Sequence, residues 1–403
     1  MPEFDFAVIG AGIVGCAVAK YISEITTKSV IVIEKERSIA YHTSSRNSGV
    51  LHSGFSQKPG TLKARFCVEG NKMVRDYCTA RGLDIVVSGT TVVARNDYEL
   101  KVLEELKRRG DANGVPELKI LGKDEMREKE PNSIGIAALH SPSGAIVDPL
   151  QLTSSFAGDA RRRGVSFAFG EKVLSLSESD RVRINTATKT YTCNYLINCA
   201  GLHADRIARY LNCGVYYRIV PFRGIYYRVR DEKKDYVKSM IYPAPNLNFP
   251  FLGIHLTRTV KGSLIVGPNA SVAMGREAYR VGQVQLDDAA YSFLFPGTAR
   301  AILRKEFVKL LLKEEISSIS KKRFFSRVSL LVRGIDLQDL LPWSSGIRAQ
   351  LLDARGNLVD DFLVEFSGRS VHILNAVSPG LTSSLPFAKY VVDKAIEQGI
   401  IQV

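Results

Sequence analysis

Four residues near the start of the chain have types and spacing that could hold a nucleotide: Gly10, Gly12, Gly15 and Glu34. The glycines follow an apolar run, Phe6 to Ile9, and lead into a stretch with helical apolar spacing that stops before a second apolar run, Val30 to Ile33. In such a strand–turn–helix–strand unit the first glycine permits the turn, the second lets backbone approach a pyrophosphate, and the third lets the helix pack closely on the strand. The free N–H groups and the dipole at the helix start, around Ile13 and Val14, then favour phosphate charge. Glu34, followed by Lys35, ends the second strand, where a carboxylate can accept hydrogen bonds from an adenosine ribose and disfavours a 2′-phosphate. NAD and FAD share this unit, so at this point the dinucleotide is open.

The elements that position these residues are bounded by composition. A chain of 403 residues with 45% hydrophobic content can bury one large core or two smaller ones. Cys16, Cys67, Cys78, Cys193, Cys199 and Cys213 are scattered without a CxxC pair, so neither disulfides nor a metal site is expected, and a reducing compartment is. No basic–apolar–small leader precedes the first strand and no apolar run approaches membrane-span length, which points to a cytoplasmic location. The formal charge of +14 lacks the interleaved aromatics of a nucleic-acid binder. Its densest segment, Arg300 to Arg333, has basic residues between apolar ones at helical spacing. That spacing predicts an amphipathic helix pair packed on the body, with peripheral contact at the inner face of a membrane as the alternative.

Helices are expected over Leu62–Arg81, Tyr98–Arg109 and Lys123–Glu130, and another from Asp148, where an N-cap acid is followed by proline. Ile85 to Ala94 reads as a strand, as do alternating runs between Val165 and Thr192 and the "YLINCAG" run that ends in Ala200 and Gly201. β-like runs broken by Pro and Gly between Tyr217 and Val266 suit an antiparallel sheet. With no repeat or linker visible, two interleaved domains are expected. A cofactor domain takes 1–84, 148–215 and 335–403, and a substrate domain takes 85–147 and 216–334.

Two segments favour FAD over NAD. The chain leaves its first unit into "YHTSSRNSGVLHSGFSQKPG", whose small residues, with Ser44, Ser45, Arg46, Asn47 and Ser48 at its start, would let backbone run along an extended cofactor. Near the other end, "NAVSPGLTSS" places Pro379, Gly380, Leu381 and Thr382 at a predicted helix start. A helix N-terminus at the pyrimidine edge of a flavin stabilises the negative charge that develops there on reduction.

Together, "DFAVIGAGIVG", "IVIEKE", "SSRNSGVLHSGFSQKPGTLKARFCVEG", "PSGAIVDP", "LINCAGLHADRIA", "VPFRGIYYRV", "FLGIHLTR", "VGPNA" and "NAVSPGLTSS" resemble the L-2-hydroxyglutarate dehydrogenase/oxidase branch of the D-amino-acid-oxidase-like (DAO) FAD-dependent oxidoreductases, from Asp5 to about Ala395. The resemblance implies an α/β fold, in which a Rossmann-like FAD-binding domain of glutathione-reductase type is interleaved with an antiparallel-sheet substrate domain. It adds Val173, Ala200, Gly201 and Gly346 to the cofactor wall. No attachment motif is evident at His42 or Cys67, the candidate attachment points, so non-covalent FAD is expected. The implied chemistry is oxidation of a secondary alcohol beside a carboxylate, by hydride transfer to flavin N5. It requires a base for the hydroxyl proton and cations for the substrate's acids. His52 is the first candidate base and His255 the second. Arg258, Arg223 and Arg348 are the candidate carboxylate holders, and Lys63 and Arg65 are expected to steady the flavin loop. His255 and Arg258 lie three apart, on opposite faces of a strand, so both reach one site only if the segment bends, for which Gly253 is the candidate. The implied partners are a small anionic substrate and a quinone, a soluble carrier or oxygen as electron acceptor. The rival readings are an sn-glycerol-3-phosphate dehydrogenase, an amine or amino-acid oxidase, and a non-catalytic flavoprotein scaffold.

Overall fold

The computed structural model describes residues 2–247, 253–304, 308, 315–316, 318–376 and 378–402. Strand β1 (Glu3–Ile9) leads through the glycine turn into helix α1 (Ile13–Ile25) and strand β2 (Val30–Glu34). β1 runs parallel to β2 on one side and to Thr190–Asn198 on the other, and Ser166–Phe169 and Ser370–Asn375 extend the parallel order outward. Both faces of this sheet are covered, which is why β1 and β2 read as unbroken apolar runs and not as alternation. Phe6 and Val8 pack with α1 and with helices Pro149–Arg162 and Ser384–Glu397. Ala7 and Ile9 point the other way, toward the antiparallel strands Val173–Glu178 and Val182–Thr186. Each large side chain fully buried in this way stabilises the fold by about 1.5–3 kcal/mol relative to exposure.

Glycine permits the close packing at the turn. Gly10 has φ +101°, a conformation strained for any side chain, and a Cβ built at Gly15 would lie 1.9 Å from the Gly10 carbonyl oxygen.

A second, larger sheet is built on the strand Tyr217–Val229, which pairs along its length with Leu340–Asp353. Leu264–Gly267, His255–Arg258, Met240–Pro243, Thr90–Ala94, Ala137–Ser141 and Lys119–Gly122 follow in that spatial order. These pairings are antiparallel except that of Met240–Pro243 with Thr90–Ala94. The 335–403 segment thus contributes to both sheets: Leu340–Asp353 joins the second, while Leu363–Ser367 and Ser370–Asn375 join the first. A small third sheet of Val50–Leu51, Ala145–Val147 and Ile85–Val87 anchors the serine- and glycine-rich loop.

Helices with strong local signals fall where the sequence puts them. Leu62–Arg81 starts at Thr61, whose side chain accepts from Ala64 N–H, and Pro149–Arg162 starts at Asp148, which accepts from Leu150 and Gln151 N–H. Elsewhere the structure differs. The expected strand from Ile85 to Ala94 is two strands in different sheets, because Gly89 turns the chain between them at φ +78°. The last helix begins at Ser384, one turn later than expected, after a turn closed by Ser383 N–H to the Pro379 carbonyl at 2.9 Å. Within the basic segment, Lys321–Val328 is a helix that buries Phe324 and Val328 and exposes Lys322 and Arg323, in keeping with packing on the body. Residues 305–307, 309–314 and 317 of the expected helix pair lie outside the described residues. No helix among the described residues is long and apolar enough to cross a membrane.

A Gly15→Ala variant should lose at least about 1–3 kcal/mol of unfolding free energy in a denaturant titration, because the added methyl meets a backbone carbonyl that cannot retreat. Gly158→Ala, in the interior of Pro149–Arg162 with only ordinary contact to Arg162 at 3.5 Å, should instead gain about 0.5–1 kcal/mol. Equal responses at the two positions would contradict the close packing at the turn.

Candidate active site

A cavity of about 760 Å³ connects the glycine turn with the edge of the second sheet. Gly10, Gly12, Ile13, Val14, Glu34 and Lys35 line it on the turn side. Ser44, Arg46, Asn47, Ser48, Val173, Ala200 and Gly201 continue the wall, as do Gly346, Pro379, Gly380, Leu381 and Thr382. Gly15 stands behind the turn as a packing residue, and Ser45 also lies off the wall, its N–H given to the His42 carbonyl at 3.2 Å. The Glu34 carboxylate fastens the turn to β2 by accepting from Ala11 N–H at 2.7 Å and Glu36 N–H at 2.9 Å. Ser44 Oγ accepts from Ile13 N–H at 2.9 Å, and a Cβ built at Gly12 would lie 2.9 Å from that oxygen. Backbone without side chains, a helix start and a terminal carboxylate on one wall fit a dinucleotide cofactor.

On this side a cluster of charges is internally matched. Lys35 Nζ lies 2.6 Å from Glu277 Oε1 and 2.8 Å from His42 Nε2, and it also bonds Glu36. His42 Nδ1 meets Tyr279 Oη at 2.6 Å, and His203 Nε2 meets Glu277 at 3.1 Å. His203 and Lys35 hold the Glu277 carboxyl far below the usual carboxylate range. Glu36, His42 and Glu277 have ligand atoms close enough together for a metal ion, but the Lys35 ammonium sits among them and supplies the cation.

His52 is gripped through its backbone. Its N–H donates to Thr382 Oγ1 at 3.0 Å, and its carbonyl accepts from Asn71 Nδ2 at 3.3 Å and from Cys67 Sγ at 3.4 Å. Asn71, nearly fully buried on the inner face of helix Leu62–Arg81, also donates to the carbonyls of Leu51 and Ser143. The sequence reading overlooked Asn71, although an asparagine among core positions of an amphipathic helix is itself a signal. Lys63 lines the cavity and pairs with Asp360 at 3.0 Å, whereas Arg65 faces solvent and pairs with Glu69.

His255 and Arg348 line the same cavity. The His255 ring stacks on Tyr242 at 4.1 Å between centroids, and its buried Nε2 has no hydrogen-bond partner among the described residues. Arg258 and Arg223 do not reach the cavity, and the reason is the two-residue period of a strand. His255–Arg258 is a regular strand; the positive φ at Gly253 precedes it, so no bend intervenes, and Arg258 pairs with Asp235 at 2.7 Å. On Tyr217–Val229, Gly224 and Tyr226 face the cavity, which turns Arg223 to the other side, where it donates to the carbonyls of Ala278 and Arg280.

The pattern that defines the family described as "FAD dependent oxidoreductase" matches residues 5–394. The chain belongs to that family. The oxidoreductase is 36% identical over 399 residues to a protein of Indibacter alkaliphilus named L-2-hydroxyglutarate dehydrogenase, covering 98% of this chain and 100% of that relative. It is 36% identical over 417 residues to the mitochondrial protein of that name from Nematostella vectensis, covering 98% and 91%. Among solved structures, its fold is similar to L-alpha-glycerophosphate oxidase from Mycoplasma pneumoniae with FAD bound, with a TM-score of 0.79 at 24% identity, covering 97% of this chain and 94% of that one.

FAD is the cofactor of this oxidoreductase family, and the wall described above fits it. Of the two candidate attachment residues, His42 belongs to the ion cluster on the turn side, and Cys67 is wholly buried with its thiol pushed up to about 12 by burial. Burial, reinforced by Lys63, pushes His52 down to about 4. Burial pushes His255 down to about 3, with His52 and Arg348 adding to the effect and the Gly253 carbonyl opposing it. Both rings are therefore neutral at pH 7 and able to accept a proton or a hydrogen bond.

Because the folded-state values lie below the ordinary histidine value near 6.5, the unfolded chain binds more protons as pH falls through that window. The stabilisation is present above pH 6.5 and lost toward pH 3–4. A His255→Asn oxidoreductase, matched to wild type in FAD content, should lose less unfolding free energy between pH 6.5 and 4.5, by up to about 1.4 kcal/mol per pH unit. Parallel pH profiles for the two proteins would mean that the folded ring titrates like a free one.

Proposed function

We propose that this oxidoreductase oxidises the C2 hydroxyl of L-2-hydroxyglutarate, giving 2-oxoglutarate. The observation that carries the reading is similarity along nearly the whole chain to relatives from bacteria and animals that bear the name of that activity. The glycerophosphate oxidase shares the fold, and its low identity carries nothing about substrate.

In this reading His52 is the base. Its backbone is clamped beside Thr382, and its low proton affinity keeps an acceptor nitrogen free at pH 7. Arg348, on the cavity wall, holds the carboxylate next to the reacting carbon through two parallel hydrogen bonds, a role that neither Arg258 nor Arg223 can take from its position. The unpartnered Nε2 of His255 gives the substrate a second polar contact. When bound, FAD supplies the acceptor for the hydride that leaves C2. As the proton passes from the hydroxyl to His52, the C–O bond becomes a carbonyl. The final electron acceptor is taken to be a quinone or a soluble carrier.

Anaerobic mixing with L-2-hydroxyglutarate should bleach the oxidised-flavin band, whereas the D-enantiomer and sn-glycerol 3-phosphate should not. His52→Ala should slow bleaching ~10²–10⁴-fold with FAD still bound. Arg348→Lys, which keeps charge but loses the fork, should weaken the reaction by about 1.5–3 kcal/mol. Slowing of only a few-fold in His52→Ala would transfer the base role to His255. Bleaching by sn-glycerol 3-phosphate and not by L-2-hydroxyglutarate would overturn the substrate.

A further inference from the structure

We propose that Lys58 and Arg109 form a second anion seat at the mouth of the cavity, which takes the distal carboxylate of the substrate and makes the oxidoreductase selective for dicarboxylic over monocarboxylic 2-hydroxy acids. This rests on the 2-hydroxyglutarate reading above and names residues outside the base and the Arg348 contact. Both side chains line the cavity, although they come from different elements.

The fold brings the elements that carry them together. Asn113, at the C-terminal end of helix Asp97–Ala112, donates from Nδ2 to the carbonyls of Gly54 and Gln57, both at 3.0 Å. That clips the short loop from His52 to Lys58 onto the helix. Arg109 lies one turn before Asn113 and therefore on the same face of the helix, toward that loop. The contact is close: a Cβ built at Gly110 would lie 2.9 Å from Phe55 Cβ. Leu106, the next residue inward along the helix, lines the cavity with Arg109 and lines an adjoining small void with His52 and Ser56. The loop that carries the base thus also carries Lys58 to the helix that carries Arg109.

Charge around the pair is in surplus, unlike that on the glycine-turn side. Glu105 accepts from Arg108 at 2.7 and 2.9 Å and from Arg109 Nε at 2.8 Å, so two guanidinium groups share one carboxylate. The exposed Lys58 ammonium has no ion-pair partner among the described residues, whereas Lys63 nearby is already matched by Asp360. A monocarboxylate held at Arg348 leaves this surplus uncompensated. A dicarboxylate of five carbons can present its far end to it, and the same two charges raise the local concentration of a dianion at the mouth.

The test compares holoenzyme of wild type with a Lys58→Gln/Arg109→Gln double variant, using L-2-hydroxyglutarate and L-2-hydroxyvalerate, which has the same chain length and a methyl in place of the distal carboxylate. The ratio of bimolecular flavin-reduction rate constants for the two acids should fall about tenfold or more in the variant. The Kd of 2-oxoglutarate, read without turnover by calorimetry on oxidised enzyme, should rise by a similar factor. A Lys58→Arg/Arg109→Lys variant should retain most of the preference. An unchanged ratio, or equal losses on both acids, overturns the seat while leaving the proposed function standing. Wild type bleached by neither acid overturns the proposed function, and the seat falls with it.

Discussion

One hydrogen bond ties the two ends of the chain into a single site: His52 N–H donates to Thr382 Oγ1 at 3.0 Å across 330 residues. Taken alone, such a bond contributes only about 0.5–1.5 kcal/mol. Its weight comes from what closes around it. Helix Leu62–Arg81 approaches the turn before the last helix so closely that a Cβ at Gly70 would lie 2.1 Å from the Thr382 carbonyl. On the opposite side, a Cβ at Gly346 would lie 2.0 Å from the Arg46 carbonyl, so the long strand of the second sheet also rests on the loop's backbone. Asn71 satisfies the loop carbonyls that this packing would otherwise strand. Where these elements meet, glycine lets backbone approach backbone.

The two sides of the cavity are electrostatically unlike. Beside the glycine turn, Lys35, Glu36, His42, His203 and Glu277 neutralise one another within half-buried ion pairs, and the Ala11 and Ile13 N–H groups are taken by Glu34 and Ser44. Near His52, neutral imidazoles stand next to the cations of Lys63 and Arg348. Desolvation and neighbouring positive charge lower the proton affinity of both rings, so each keeps an unprotonated nitrogen at pH 7.

What could be read in advance divides by distance along the chain. The glycine turn, the cap of Pro149–Arg162 and the bounds of Leu62–Arg81 are set by residues within a few positions, and they emerge as expected. The cavity wall was legible too, because glycine, serine and proline clusters mark backbone meant to be approached. Facing was harder. Arg258 and Arg223 had suitable chemistry, but strand alternation turned both away, and only the pairing partners determine which face is inside. Gly89 read as part of one strand and proved to be the junction between two sheets. The partners of Asn71 and Thr382, and the clip from Asn113 to the His52 loop, join elements far apart in sequence, and no local pattern announces them.

Whether backbone bared by glycine holds FAD is read most directly from the flavin-to-protein ratio released on denaturing the purified chain and a Gly12→Val variant. Wild type should release about one FAD per chain, without covalent attachment, and the variant little, because its side chain would be forced against Ser44 and the cofactor wall. Full FAD occupancy in Gly12→Val, or no flavin in wild type, would contradict FAD binding by the bared backbone.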